Sequence, residues 1–247
     1  MNAPIFLWSG PRNVSTALMY SFAELPGIRV IDEPLYGHYL RVSGAEHPGA
    51  GEVMAAMNCD GDHVIRELLD AQAAAPTRRF FVKHMAHHLV DLDLGFLPEV
   101  CNVFLIRDPV EMLPSLTVQV PHARLDDTGL KRQYELFADL VAAGQRPAVL
   151  DSRELLLDPA SVLRQLCKHI GVAYDDRMLH WEAGPRPEDG VWAPHWYHAV
   201  HQSTGFAPYV AKAGFPESLR ALLEECQPWY EQLFANAIRA GGNGETE

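Results

Sequence analysis

The sequence predicts a single α/β domain, in which a parallel β-sheet carries helices on both faces. Five short apolar runs alternate with stretches of helical periodicity, and each run is apolar almost throughout. Continuous apolarity is typical of parallel strands that are covered on both faces, and strand–helix alternation favours right-handed crossovers. The chain has 247 residues, 48% of them hydrophobic, which is enough for one sizeable core.

The predicted strands should end at one common edge of the sheet. Ligands of such sheets bind beyond the carboxyl ends of the strands, so polar residues that follow the apolar runs are candidate site residues. The predicted strands cover residues 5–8, 29–31, 80–83, 103–107 and 148–150.

Helical patterns lie between these strands. An apolar face that includes Leu18 and Phe22 predicts a helix after the first strand. Asp158 and Pro159 are a typical N-cap and N1 pair, and Gly171 is a typical helix end. The other predicted helices cover residues 130–143, 159–170 and 217–238.

Three segments show no clear periodicity. Residues 41–62, rich in glycine, alanine and acids, are expected to form a surface loop or lid. Residues 183–214 combine glycine, proline and aromatic residues. The predicted domain covers residues 1–240, and a disordered tail is expected over residues 241–247.

Charge and composition restrict the partners of this protein. Lys and Arg number 20 against 32 Asp and Glu, a net charge of −12, which argues against nucleic acid and anionic membranes as partners. The four cysteines form no CxxC pair, and the N-terminal segment lacks a basic leader followed by a long apolar stretch. We therefore expect a cytoplasmic protein that acts on a small molecule; the oligomeric state is not predicted.

The turn after the first strand predicts an anion site. Residues 9–16 read SGPRNVST and open a helix, whose free N–H groups and positive dipole end favour an anion. Pro11 rigidifies the turn, Arg12 adds charge, and Ser15 and Thr16 add hydroxyls. The turn lacks the Gly-Lys-Ser/Thr of ATP-binding loops. The alternative interpretation is an ordinary capped helix beside a solvated arginine.

A second pattern places Arg107 at the end of the fourth strand and Ser115 eight residues later. With this pattern the resemblance to one protein family becomes specific. Together the two patterns resemble sulfotransferases that use 3′-phosphoadenosine 5′-phosphosulfate (PAPS). The resemblance implies a P-loop-NTPase-like fold in which Arg107 and Ser115 hold the 3′-phosphate of PAPS. It implies that the 5′-phosphosulfate is held by Pro11, Arg12, Asn13, Val14, Ser15 and Thr16.

A third segment, residues 152–171, also resembles this family, but two residues depart from its pattern. Val14 stands where the family usually has glycine, so the backbone of the loop is expected to differ. Ser152 replaces a tyrosine that often contacts adenine, so the contact to the base must come from elsewhere.

The candidate catalytic residues follow the second and third strands. The resemblance implies that Glu33, 21 residues after Arg12, is the general base, with Asp32 as the alternative. It assigns Lys83 to stabilising the leaving group together with Arg12. Some members use a histidine two residues after that lysine; here that position is Met85, and His84 stays a rival base.

Histidines at 84, 87 and 88 also suggest a metal site, since 84 and 88 would share one helical face. No HExxH or suitably spaced acid accompanies them, so buried or surface histidines are the favoured interpretation. The resemblance implies PAPS as the sulfuryl donor and no metal.

Residues 191–206, which we call the late aromatic segment, are a candidate lid. Trp192 and Trp196 are expected to wall an acceptor pocket, and the resemblance implies nucleotide contacts from Ser203, Thr204 and Gly205. The alternative is a satellite hydrophobic cluster. The family's basic Arg-Lys-Gly segment is absent.

We predict a sulfotransferase that moves a sulfuryl group from PAPS to a hydroxyl or amine of a small molecule. Two alternatives remain from the sequence. A nucleotide kinase or NTPase is disfavoured by the missing Gly-Lys-Ser/Thr, and a non-catalytic nucleotide-binding protein is disfavoured by the presence of both Glu33 and Lys83.

Overall fold

The computed structural model describes residues 3–212 and 214–241. Over these residues one sheet contains six strands in the order β2-β3-β1-β4-β5-β6, and every pairing in it is parallel. This confirms the predicted α/β fold. The strands are β1 (Ile5–Ser9), β2 (Ile28–Asp32), β3 (Arg79–Met85), β4 (Cys101–Ile106), β5 (Ala148–Asp151) and β6 (Ala237–Ile238).

Helices cover both faces of the sheet. They are α1 (Ser15–Ala23), α2 (Tyr36–Ser43), α3 (Ala50–Ala56), α4 (Gly61–Ala73), α5 (Pro109–Leu116), α6 (Leu125–Thr128), α7 (Leu130–Ala142), α8 (Ser152–Leu157), α9 (Pro159–Ile170), α10 (Ala193–Trp196), α11 (His198–His201) and α12 (Arg220–Phe234). Short 3₁₀ turns lie at Ala86–His88, Leu97–Glu99, Asp176–Leu179 and Glu217–Leu219. Within the part of the chain that the structure describes, we find no helix with both the length and the apolarity needed to cross a bilayer.

The central strand β1 explains why the sheet needs cover on both sides. It pairs with β3 and β4, and all five of its residues are fully buried. Because side chains alternate along a strand, Phe6 and Trp8 pack into one core with α4, α7 and α12, whereas Ile5 and Leu7 pack into another with α1 and α9. The carboxyl edge of the sheet is therefore supported by a packed core on each face.

Two sequence predictions about local structure are wrong. Residues 41–62 contain the end of α2, all of α3 and the start of α4 instead of a loop. Asp60 caps α4 by accepting a hydrogen bond from the His63 N–H at 3.0 Å, and Val53 of α3 is buried. Helices α2 and α3 have only 8 and 7 residues, so their apolar positions are too few to show periodicity in the sequence.

The last predicted helix is also too long. Helix α12 ends at Phe234, and residues 237–238 form β6, which pairs with β5 through Leu150 and Ile238. The backbone groups of residues 237 and 238 therefore pair with the edge strand β5 and not within a helix. Apart from residue 241, the predicted tail lies outside the described residues.

Gly10, directly after β1, gives a test of the packing below the site. A Cβ at this position would lie 2.6 Å from the backbone oxygen of Thr128. We expect Gly10→Ala to lower the unfolding free energy by about 1–3 kcal/mol, because backbone must move to relieve the overlap. The matched control is Gly51→Ala in α3, where an added Cβ meets nothing within 4 Å. Thermal unfolding should show a lower melting temperature for Gly10→Ala alone; equal melting temperatures would contradict the contact.

Candidate active site

A cavity of about 340 Å³ opens at the carboxyl edge of the sheet, next to the start of α1. Its walls come from the turn after β1, the ends of β2, β3 and β4, and the late aromatic segment. Most of the predicted site residues line it: Pro11, Arg12, Asn13, Val14, Ser15, Thr16, Glu33, Lys83, Arg107, Ser115, Ser203 and Gly205.

The turn after β1 is held in an uncommon backbone conformation. Arg12 has a φ of 57°, in the left-handed region that non-glycine residues rarely adopt. Three contacts hold the turn: Arg12 Nε donates to Ser115 Oγ at 3.0 Å, Asn13 Nδ2 donates to the Leu105 carbonyl at 3.2 Å, and Arg107 donates to the Arg12 carbonyl. Strain of this kind is typical of ligand-binding turns whose geometry is fixed by their surroundings.

Helix α1 begins at this turn with free backbone donors. Its N-cap residue, Val14, provides no side-chain hydrogen bond, and the Ser15 N–H is taken by Asn13 Oδ1 at 3.0 Å. The first N–H groups of a helix have no partner within the helix, and Thr16 and Ala17 both line the cavity. The helix start is therefore suited to an anion.

Two guanidinium groups, from Arg12 and Arg107, line the same cavity. Burial lowers the pKa of Arg12, and the positive charge of Arg107 lowers it further. The carboxylate of Glu111 partly balances Arg107, with Oε2 3.5 Å from Nε. Because two like charges held together disfavour each other, this end of the cavity is electrostatically complementary to an anionic ligand.

Lys83 is buried at the end of β3 with all three of its N–H donors in use. Its Nζ lies 2.7 Å from Asp32 Oδ1, 2.6 Å from Glu33 Oε1 and 2.6 Å from the Tyr197 hydroxyl oxygen. Burial alone would lower the pKa of Lys83, but the negative charges of Asp32 and Glu33 raise it well above its ordinary value. The ammonium is therefore charged, and it is shared by two carboxylates.

Glu33 follows β2 and faces this ammonium. Its φ of 38° is again in the left-handed region, and its N–H donates to the Lys83 carbonyl at 2.9 Å. Burial raises the pKa of Glu33 above its ordinary value, Lys83 opposes that rise, and Asp32 adds to it. A buried carboxyl with a raised pKa at a cavity wall has the properties of a general base or acid.

Tyr197 is a site residue that the sequence did not reveal. Its hydroxyl donates to Asp32 Oδ2 at 2.7 Å and accepts from Lys83 Nζ and, at 3.1 Å, from Trp192 Nε1. Burial raises the pKa of Tyr197 well above its ordinary value, which keeps the hydroxyl neutral. The only signal in the sequence was the density of aromatic residues around it, which identifies no single partner.

Polar contacts also join residues 186–201 to α1 and to Glu24, the residue that follows α1. Asp189 accepts from the Tyr20 hydroxyl at 2.7 Å and faces His201 Nε2 at 2.8 Å. Arg186 pairs with Glu24. Trp192 and Trp196 both line the cavity, in the position expected for a pocket wall.

Two predicted site residues do not line the cavity. His84 is fully buried on the other face of β3, where its ring stacks on Trp8 with centroids 4.6 Å apart. Burial there lowers the pKa of His84 to about 3, so it is an uncharged core residue and not a base facing the cavity. Thr204 presents its carbonyl to the Trp181 N–H at 3.2 Å, while its neighbours Ser203 and Gly205 reach the cavity.

The rings of His87 and His88 lie side by side with centroids 4.6 Å apart, whereas His84 packs against Trp8 in the core. Residues 86–88 form a 3₁₀ turn rather than the helix that would place 84 and 88 on one face. Over residues 3–212 and 214–241, no group of three or more His, Cys, Asp or Glu side chains is arranged to hold a metal ion.

Fold and cavity together define an α/β protein whose cavity is suited to an anion and lies next to a buried carboxylate–lysine pair. The chain belongs to the sulfotransferase family: the family model described as "Sulfotransferase domain" matches residues 3–237. This confirms the resemblance seen in the sequence.

Solved structures agree with this assignment at the level of fold. The sulfotransferase domain from the curacin biosynthetic pathway superposes with a TM-score of 0.58 at 16% identity, covering 96% of this chain and 99% of that one. A sulfotransferase from Alicyclobacillus acidocaldarius gives a TM-score of 0.55 at 15% identity, covering 95% of each chain. Identities this low show a shared fold only.

A curated relative carries a different name. The "Branched-chain-amino-acid aminotransferase-like protein 2" of Arabidopsis thaliana is 39% identical over 231 residues, which are 93% of this chain and 41% of the relative. The chain therefore spans about two-fifths of the length of the curated relatives it matches.

Proposed function

We propose that this chain is a PAPS-dependent sulfotransferase that acts on a hydroxyl group of a small molecule, with Glu33 as the general base. One observation carries the proposal. A single cavity joins a helix start flanked by Arg12 and Arg107 to the Glu33–Lys83 pair at the ends of two neighbouring strands. Sulfuryl transfer needs both parts: cations around a phosphorylated donor, and a base beside the acceptor.

The residues present fit the donor. The free N–H groups of α1 and the guanidinium of Arg12 would hold the 5′-phosphosulfate, and Arg107 with Ser115 would hold the 3′-phosphate. Arg12 already contacts Ser115, and Arg107 contacts the Arg12 carbonyl, so the two phosphate subsites would adjoin each other. An anion between them would offset the repulsion that lowers the pKa of Arg12.

In the proposed reaction, one residue removes a proton from the acceptor and two others stabilise the leaving group. Glu33 takes the proton of the acceptor hydroxyl as the new O–S bond forms and the bond from sulfur to the 5′-phosphate oxygen breaks, which leaves adenosine 3′,5′-bisphosphate. Lys83 and Arg12 stabilise the negative charge that develops on the leaving phosphate. Positioning and electrostatic stabilisation supply most of the rate in transfers of this kind.

Lys83 needs to exchange a partner before it can act. All three of its donors are occupied, one of them by Glu33. An arriving phosphosulfate competes with Glu33 for one N–H group of the Lys83 ammonium, while Asp32 and Tyr197 keep the ammonium in place. The released Glu33 carboxylate, buried and no longer paired, becomes a stronger base.

Binding of adenosine 3′,5′-bisphosphate tests the donor site. We expect Arg12→Ala and Arg107→Ala each to weaken it about 10-fold or more, because hydrogen bonds to charged groups contribute about 1.5–3 kcal/mol. Titration calorimetry measures the affinity. Arg29→Ala, which removes an exposed guanidinium packed over Phe80, is the matched control. Unchanged affinity in both site variants would show that the nucleotide binds elsewhere.

A further inference from the structure

Beyond Glu33 the cavity continues into a compartment walled by aromatic rings. We call it the acceptor compartment; it is formed by Tyr36, His47, His87, His88, Trp192 and Trp196. The rings support one another. The Tyr36 ring stacks on His88 with centroids 5.0 Å apart and an interplanar angle of 2°, and it meets Trp192 edge-on at 5.3 Å. The Tyr36 hydroxyl also contacts His47 Nδ1 at 2.9 Å.

Among the residues that the structure describes, none gives this compartment a positive group that a carboxylate or phosphate could use. Among the described residues that line the cavity, the permanent cations are Arg12, Lys83 and Arg107. The two arginines lie at the turn after β1, and Lys83 is already neutralised by Asp32 and Glu33. An acidic acceptor would be brought next to the Glu33 carboxylate without a compensating charge.

The imidazoles do not supply that charge. Burial lowers the pKa of His47 and His88 below the ordinary value, and it lowers the pKa of His87 to about 3. All three rings are therefore neutral near pH 7, and they act as flat, weakly polar walls.

A cationic acceptor is also disfavoured, although aromatic rings often attract cations. The Lys83 ammonium lies 5.0 Å from the centre of the Tyr197 ring, so the site already holds a cation at that face. One face of Tyr36 is covered by His88. An ammonium group on the acceptor would find both of these ring faces occupied.

We infer, on the basis of the proposed function, that the acceptor is an uncharged hydroxyl compound with a small apolar body, about the size of one ring. Its body lies between Tyr36, Trp192 and Trp196, and its hydroxyl reaches Glu33. The size follows from the cavity: about 340 Å³ is near the lower limit for a single ligand site, and the donor shares it.

Three matched phenols test this inference: 4-ethylphenol, tyramine and 4-hydroxyphenylacetate. They share the ring and the hydroxyl, and they differ in the charge of a short tail. Calorimetry measures their binding to the free protein and to the protein saturated with adenosine 3′,5′-bisphosphate, and turnover with PAPS gives kcat/KM. We expect 4-ethylphenol to be preferred about 10-fold or more over both charged analogues. Equal or better binding of either charged analogue, or no binding of any of the three, overturns the inference.

Substitutions in the acceptor compartment test whether the acceptor binds there. Trp196→Ala should weaken 4-ethylphenol binding about 10-fold and leave adenosine 3′,5′-bisphosphate affinity unchanged, whereas Trp229→Ala, outside the cavity, should change neither. His47→Arg should improve binding of 4-hydroxyphenylacetate by adding the missing charge. Unchanged 4-ethylphenol binding in Trp196→Ala would place the acceptor elsewhere.

The two proposals fail separately. If 4-ethylphenol binds with the expected selectivity but adenosine 3′,5′-bisphosphate does not bind, the donor assignment is wrong and the compartment stands. If the nucleotide binds and a charged phenol is preferred, the donor site stands and the inferred acceptor class is wrong.

Discussion

Glu33→Gln is expected to reduce turnover with PAPS by about 10²–10⁴-fold, the usual contribution of a general base, while nucleotide affinity stays nearly unchanged. The substitution keeps the side-chain shape and an oxygen that accepts from Lys83, so the cavity is preserved. It removes the ability to take a proton, together with the negative charge that faces Lys83. Single-turnover kinetics and calorimetry on the same samples separate the two effects.

Asp32→Asn is the comparison variant for this experiment, because Asp32 contacts the same ammonium but does not line the cavity. Turnover in Glu33→Gln close to that of the unchanged protein would exclude Glu33 as the base. In the unchanged protein, kcat/KM should rise with pH through the pKa of Glu33, which burial places above the ordinary value.

The same raised pKa gives the Glu33→Gln variant a second, stability-based readout. A carboxyl whose folded-state pKa is raised binds its proton more tightly in the folded protein, so its contribution to stability falls as pH rises from the unfolded-state value, about 4.5, through the folded-state pKa. Glutamine does not titrate. The melting temperature of Glu33→Gln relative to the unchanged protein should therefore increase over that pH range; a constant difference would contradict the raised pKa.

Lys83→Met is expected to abolish turnover and also to destabilise the fold. Asp32 and Glu33 would stay buried without the cation that lies 2.7 and 2.6 Å from them. Removing one partner of a buried ion pair costs about 3–5 kcal/mol, which corresponds to a fall in melting temperature of roughly 6–20 °C for a protein of this size. Thermal unfolding at neutral pH measures the loss.

Acid should partly rescue this variant. Burial raises the pKa of Glu33, so protonation of this carboxyl removes part of the unpaired negative charge. The difference in melting temperature between Lys83→Met and the unchanged protein should therefore shrink as pH falls. Lys131→Met removes a half-exposed lysine that pairs loosely with Glu135 and should change little. A melting temperature for Lys83→Met equal to that of the control would show that the buried carboxylates need no counter-charge.

Much of the cavity lining could be predicted from the sequence. Arg12, Glu33, Lys83 and Arg107 each follow an apolar run, and the carboxyl ends of parallel strands meet at one edge. The polar residues after those strands therefore had to be neighbours. The cavity contains all four side chains.

The sequence could not show which side of a strand faces the ligand. Lys83, the predicted stabiliser of the leaving group, and His84, the rival base, are adjacent in the sequence, yet consecutive side chains of a strand point to opposite faces. Only the packing of Phe6 and Trp8 against His84 decides that the histidine belongs to the core.

The sequence by itself determined the strands, their parallel arrangement and the residues at their ends, because these follow from local apolar runs and short-range connections. Tertiary structure alone decided the partners of Lys83, the neutral state of the histidines and the two-residue strand β6. Tyr197 reaches Lys83 across 114 positions of the chain through a segment without periodicity, and burial shifts the pKa values only once the chain is packed. Contacts between distant segments depend on the packed fold, and no local pattern encodes them.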